Sequence, residues 1–176
     1  RTPLTVIQGN LEGLLDGVYP PDAAHLTPIL EETRVMARLI DDLRTLSQAE
    51  SGTLKLYREP TDLGIVINDT IASFRGQANA AGVELRAAVD PGLPLLDVDP
   101  TRIREVLSNL IANALRYTGQ GGEISFAAET DSANGGVTVS VRDTGAGVPA
   151  EALPHIFERF YKSPESRGTG LGLAIA

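Results

Sequence analysis

Two consecutive prolines constrain the first part of this chain more than any other feature. Tyr19-Pro20-Pro21-Asp22 interrupts a helical pattern, because proline lacks the N–H that a helix interior needs and its ring clashes with the preceding turn. Before the break, Leu4, Ile7, Leu11, Leu14 and Val18 recur at spacings of three and four, the apolar stripe of a bundle helix. After it, Asp22 offers a capping carboxylate, and Leu26, Ile29, Leu30, Met36, Leu39, Ile40, Leu43 and Leu46 carry the period through residues 23–49. So short a connection makes the two helices antiparallel neighbours. Two helices cannot enclose a core, and a second copy completing a four-helix bundle is favoured over packing against the rest of the chain.

Beyond Ser51-Gly52 the pattern becomes mixed. Residues 53–57 alternate like a short strand, and Glu59-Pro60-Thr61-Asp62 opens a helix to about residue 81. Residues 83–89 read as a strand, and Pro91-Gly92-Leu93-Pro94 turns into an apolar stretch at 95–98. Asp99-Pro100 places a capping side chain and then a proline at the first helical position, starting a helix that reaches about Tyr117. A strand at 123–129, a turn at Asn134-Gly135-Gly136 and a strand at 137–142 follow. From Asp143 the chain is glycine-rich and irregular until residues 171–176 begin a helix. The fold class expected is α+β. A helical hairpin over residues 1–55 precedes an α/β sandwich over residues 56–176, whose mixed sheet is covered by helices on one face.

Composition narrows the chemistry. With no cysteine there is no disulfide, thiolate zinc site or cysteine nucleophile. Fifteen basic against 23 acidic residues give a net charge of -8, which argues against nucleic acid or an anionic membrane as partner. No apolar run is long enough to span a bilayer, so any membrane anchor is expected outside this sequence.

Three segments carry candidate chemistry. On the helix from Asp99, the residues Ile103, Leu107, Leu110, Ile111 and Ala114 form the apolar face, opposite Arg102, Glu105, Asn109, Asn113 and Arg116. Asn109 and Asn113 are either ligands for a hard cation such as Mg²⁺, with Arg116 near phosphate, or parts of a solvated face. Asp143-Thr144-Gly145-Ala146-Gly147 ends a strand in a tight turn. Its carboxylate can accept from a purine amino group; its Asp-Thr-Gly also matches one half of a dimeric aspartic-protease site. Gly168-Thr169-Gly170-Leu171-Gly172 has the backbone N–H groups of a phosphate-binding turn, yet lacks the Gly-Lys-Ser/Thr of a P-loop and the spacing of a dinucleotide fingerprint. Between them Phe157-Glu158-Arg159-Phe160-Tyr161 gathers three aromatics, as a loop clamp or as core. Arg159, Lys162 and Arg167 flank the glycines. His25 and His155 have no second histidine at ligand spacing and read as structural.

In order, these segments resemble the sensor histidine kinases of two-component systems. Arg1-Thr2-Pro3-Leu4-Thr5 is similar to the end of their phosphoacceptor box, and Asn109-Leu110-Ile111-Ala112-Asn113-Ala114-Leu115-Arg116-Tyr117-Thr118 to their N box. The segments at Asp143, Phe157 and Gly168 resemble their G1, F and G2 boxes.

The resemblance implies a dimerisation and phosphotransfer hairpin followed by an ATP-binding domain of the gyrase–Hsp90–kinase type. It implies ATP and Mg²⁺ as cofactors, a homodimer, a response-regulator receiver domain as partner, and a cytoplasmic location with the whole protein anchored in the membrane. Asn113 then matches the metal ligand, with Asn109 beside the metal at a catalytic position. Arg116 matches a phosphate contact, Tyr117 an aromatic neighbour of the nucleotide, and Asp143 the reader of the adenine amino group, with Gly145 and Gly147 shaping its pocket. Gly168, Gly170 and Gly172 match the lid backbone, and Lys162, Thr169 and Leu171 complete the candidate nucleotide contacts. Thr2 matches a residue that serves regulator dephosphorylation. The family's reactive histidine falls three residues before the arginine of its box, hence before Arg1, and residues 163–167 make a shorter lid than usual. An ATPase or switch module of the same superfamily and a dimeric pseudokinase are the alternatives.

Overall fold

The computed structural model describes residues 3–131, 135–162 and 169–176. Thr2, Gly168, the 163–167 segment and Asn134 of the expected turn lie outside the described residues. The chain divides into two compact units, Arg1–Leu54 and Lys55–Ala176.

The first unit is the hairpin of α1 (Pro3–Leu15) and α2 (Ala23–Glu50). The expected seam runs too far: Val18 lies three residues beyond Leu15, the last residue of α1. Gly17, at φ 69, takes the left-handed region, and two hydrogen bonds close the helix there, Gly17 N–H to Leu14 O at 3.3 Å and Val18 N–H to Gly13 O at 2.9 Å. Asp22 caps α2, its carboxylate accepting from the His25 N–H at 3.2 Å. The Tyr19 ring stacks on His25 with centroids 4.5 Å apart. Within this unit α1 buries no residue and α2 only Leu46. Leu11, Leu30 and Ile40 remain 43%, 52% and 62% exposed.

The second unit opens with β1 (Glu59–Thr61), not with a strand at residues 53–57. The N–H groups of Thr53 and Leu54 turn back to the Gln48 carbonyl, and that of Tyr57 goes to the Asp99 carboxylate at 2.9 Å. No ladder is left for those residues. Instead β1 pairs antiparallel with β3 (Leu96–Val98) in a two-stranded ribbon, whose open sides tolerate Pro60. Asp62, the last residue of the expected helix opening, caps α3 (Leu63–Ala81) by accepting from Gly64 and Ile65. The main sheet has the order β2 (Glu84–Val89), β4 (Glu123–Asp131), β5 (Gly136–Asp143), with β2 parallel and β5 antiparallel to β4. Period-two alternation buries Ile124, Phe126 and Ala128 of β4 on one face. Ile67 and Ile71 of α3 join them in one cluster with Leu107 and Ile111 of α4 (Pro100–Tyr117). The unit is thus the expected mixed sheet with helices on one face. Among the described residues no helix is long and apolar enough to cross a membrane.

Asp99 ties this unit together. Its carboxylate accepts from Thr101 N–H at 3.0 Å and Arg102 N–H at 3.2 Å at the start of α4, and from Tyr57 N–H in the segment before β1. The Tyr57 hydrogen bond, foremost, holds its pKa below the ordinary 3.8. A depressed carboxyl pKa stabilises the fold fully above its unfolded value and loses that contribution as pH falls through the folded one. Asp99→Ala should therefore lower the thermal midpoint at neutral pH by roughly 5 °C or more. Asp99→Asn should be less stable than the parent at pH 7, with the gap closing in melts recorded below 3.8. A gap that stays constant with pH contradicts this role.

Candidate functional site

Helix α4 separates two kinds of residue. Leu107, Ile111, Ala114 and Leu115 are buried, and Ile111 has 0% exposure. Leu115 widens the apolar face beyond the expected stripe, while Leu110 is only half-buried. On the polar side, Arg102 and Glu105 pair with each other at 2.6 Å. Further along, Asn109, Asn113 and Arg116 fall on one stripe at helical period. Arg116, exposed, sits in the last turn, where a cation complements the helix dipole.

Asn109 is the informative member. Its amide Nδ2 is buried and has no hydrogen-bond partner among the described residues. Such a group costs free energy unless water or a ligand completes it. The glycine-rich segment lies against the same side chain: a Cβ on Gly172 would stand 3.6 Å from Asn109 Cγ. Asn109 and Gly172, distant in sequence, are therefore neighbours.

A second convergence forms at the end of β5. Val137, Val139 and Val141 pack against the core, and alternation puts Asp143 next in that row, in register with Ile124. The carboxylate thus emerges on the helix-covered side of the sheet, where the apolar row ends, and it is exposed. One oxygen accepts the Gly145 N–H at 2.8 Å, leaving the other for a donor from outside. Thr144 fastens the turn to β4, its Oγ1 accepting the Glu123 N–H at 2.9 Å. Gly145 presses on the last turn of α4, where a Cβ would lie 2.5 Å from the Tyr117 carbonyl oxygen. Asp143, Gly145 and Tyr117 are therefore brought together.

Other candidates stand differently. Leu171 has 0% exposure, so it anchors the glycine segment in the core and offers its side chain to no ligand. Its N–H donates to Thr169 Oγ1 at 3.3 Å. Gly147 has open space around it, and Lys162 is exposed, with no described contact joining its side chain to α4. Two threonines escaped the sequence reading. Thr144 is the clamp just described, and Thr118, capping α4, has a buried hydroxyl without a partner among the described residues. Thr118 ends a motif whose amides drew the attention; only burial reveals its orphaned oxygen.

Residues 98–176 match the family described as histidine kinase-, DNA gyrase B- and HSP90-like ATPase, and residues 1–52 match the His kinase A (phospho-acceptor) domain. The solved structure of Acinetobacter baumannii histidine kinase AdeS is 33% identical, with a TM-score of 0.81, over 99% of this chain and 81% of that one. The chain belongs to the sensor histidine kinases. Signal transduction histidine-protein kinase BaeS of Escherichia coli K12 is 32% identical over 99% of this chain and 38% of its own length. Sensor histidine kinase WalK of Bacillus subtilis is 34% identical over 100% of this chain and 30% of its own. Full-length ShkA in complex with AMPPNP has a TM-score of 0.76 at 28% identity, covering 99% of this chain and 37% of that one. The chain spans less than two-fifths of BaeS and of WalK.

The two glycine contacts of this kinase core differ in tolerance. Gly145→Ala forces a methyl group into the Tyr117 main chain and should destabilise the unit by about 1–3 kcal/mol. Gly172→Ala meets Asn109 at 3.6 Å, an ordinary contact, and should fold nearly as stably as the parent. Denaturant titration of both variants checks the contrast; equal losses refute the packing described.

Proposed function

We propose that this chain is the catalytic core of a protein histidine kinase that uses ATP and Mg²⁺. The γ-phosphoryl group goes to a histidine nitrogen of the phosphoacceptor box that Arg1-Thr2-Pro3-Leu4-Thr5 ends, breaking the bond to ADP. It then passes to an aspartate of a response-regulator receiver domain. Residues 1–55 serve dimerisation and phosphotransfer, and residues 56–176 bind the nucleotide. Thr2 serves dephosphorylation of the regulator. The chain works on the cytoplasmic side of a membrane, anchored by segments outside it.

The observation that carries this reading is the buried, unpartnered Asn109 Nδ2 against Gly172, a donor that a phosphate oxygen would complete, which leaves Oδ1 for a cation. The donor set fits Mg²⁺, a hard cation that takes one or two protein oxygens and leaves the rest to phosphate and water. Asn113 and Asn109 would hold it through their amide oxygens; when bound it neutralises charge on the phosphate oxygens. Arg116 and Lys162 would add fixed positive charge, and the glycine segment that resembles the G2 box, Gly168, Thr169, Gly170, Leu171 and Gly172, would supply backbone N–H groups to the phosphates. The free oxygen of Asp143 would accept from the adenine amino group beside the turn of Gly145 and Gly147, with Tyr117 as an aromatic neighbour of the nucleotide. ShkA in complex with AMPPNP supports ATP as the nucleotide. The net charge of -8 opposes an anionic ligand, so affinity rests on these local groups.

Asn113 is half-buried on the polar stripe, so its truncation leaves no apolar cavity. Asn113→Ala should keep the circular-dichroism spectrum and lose Mg²⁺-dependent ATP binding, about tenfold or more, in a calorimetric titration. Binding of Mg·ATP as tight as the parent's contradicts the assignment.

The exposed apolar residues of the hairpin, Leu4, Leu11, Leu30 and Ile40 among them, support a homodimer that buries both seams. Sedimentation at micromolar concentration should report two copies, and Leu11→Asp should return one. A monomeric parent rules the bundle out.

A further inference from the structure

Among the described residues Phe160 is the one non-glycine with a positive φ, 61°. A bulky side chain enters that region only where its surroundings impose it. The ring does not impose it, since Phe160 is 60% exposed. The main chain does. The Phe160 N–H donates to the Gly170 carbonyl at 2.8 Å. Gly170 is left-handed as well, at φ 74, and a Cβ there would lie 2.6 Å from the Phe160 carbonyl carbon and 2.7 Å from its Cα. Two stretches of backbone are thus back to back, with room for a hydrogen atom and nothing larger.

What lies on either side gives this junction its use. After Gly170 come Leu171, with 0% exposure, and Gly172, against the Asn109 amide. Before Phe160 the chain is braced: the Glu158 N–H bonds the His155 carbonyl at 2.8 Å, and the two side chains meet at 2.7 Å. The His155 ring lies 5.5 Å from that of Tyr161.

We propose that Phe160 is a positioning residue of the nucleotide site, acting through its left-handed main chain rather than its ring. By holding Gly170 it fixes where Leu171 enters the core and where Gly172 meets Asn109. The proposal rests on the nucleotide reading given above and adds the residue that sets the geometry of the glycine segment.

The test uses the chain as it stands, with Mg·ATP titrated by calorimetry and thermal melts recorded for every variant. Phe160→Val, β-branched and excluded from the left-handed region, should weaken binding about tenfold, and so should Gly170→Ala. Phe160→Asn keeps the backbone conformation without the ring and should lose less than about threefold. In the nucleotide-free parent the Phe160 amide should exchange slowly with deuterium, and Gly170→Ala should release it while amides of β4 stay protected. Loss by Phe160→Asn as large as by Phe160→Val assigns the effect to the ring and overturns the proposal. Parent-like binding by Gly170→Ala, or a fast-exchanging Phe160 amide in the parent, overturns it too. A parent that binds no Mg·ATP overturns the nucleotide reading itself, and the proposal with it.

Discussion

Burial of one side of α4 against the sheet is the constraint on which the rest of the second unit depends. Ile111 and Phe126, at 0% and 1% exposure, belong to the single cluster that joins α3, α4 and the sheet. Each such side chain contributes about 1.5–3 kcal/mol when removed from water. An asparagine in a helix interior costs only roughly 0.7 kcal/mol relative to alanine. The apolar face therefore carries Asn113 on the opposite side at little risk to the helix, and it also offsets the further cost of the unpartnered Asn109 amide, about 1–3 kcal/mol. The Asp99 carboxylate sets the start of the same helix and joins it to the segment before β1.

The same helix supports both convergences of the site. Its middle turn offers the Asn109 amide to Gly172, and its last turn receives the Asp143–Gly145 turn on the Tyr117 carbonyl. The two convergences use different parts of the chain and do not compete for the same atoms. Asp143 reaches its place because β5 alternates: the position that holds a valine two residues earlier holds a carboxylate where the apolar row ends. The same pleat that builds the core thus aims the acidic group.

Much of this was legible in the sequence wherever independent signals agreed. Asp99, Pro100 and the 3.6-residue period point to one helix, and α4 runs as expected from Pro100 to Tyr117. Where a single signal stood alone, it misled. Alternation at residues 53–57 suggested a strand, but the Tyr57 N–H has a partner 42 residues away that no local pattern reveals. The spacing that included Val18 ignored Gly17, whose left-handed backbone ends α1 first. The order of the boxes was enough to indicate the family, while each box alone left its chemistry open. Thr118 and the Phe160–Gly170 junction stayed hidden, because an orphaned hydroxyl and a backbone contact exist only once the chain is folded.

The polar stripe of α4, the Asp143 turn and the glycine segment are proposed to form one nucleotide site. Backbone amide NMR during titration of ATP with and without Mg²⁺ tests it most directly. Mg²⁺-dependent shift changes are expected at Asn109, Asn113, Gly145 and Gly172, with the amides of α1 and of the ribbon formed by β1 and β3 unmoved. Changes confined to the hairpin, or none at α4 on saturation, would contradict it.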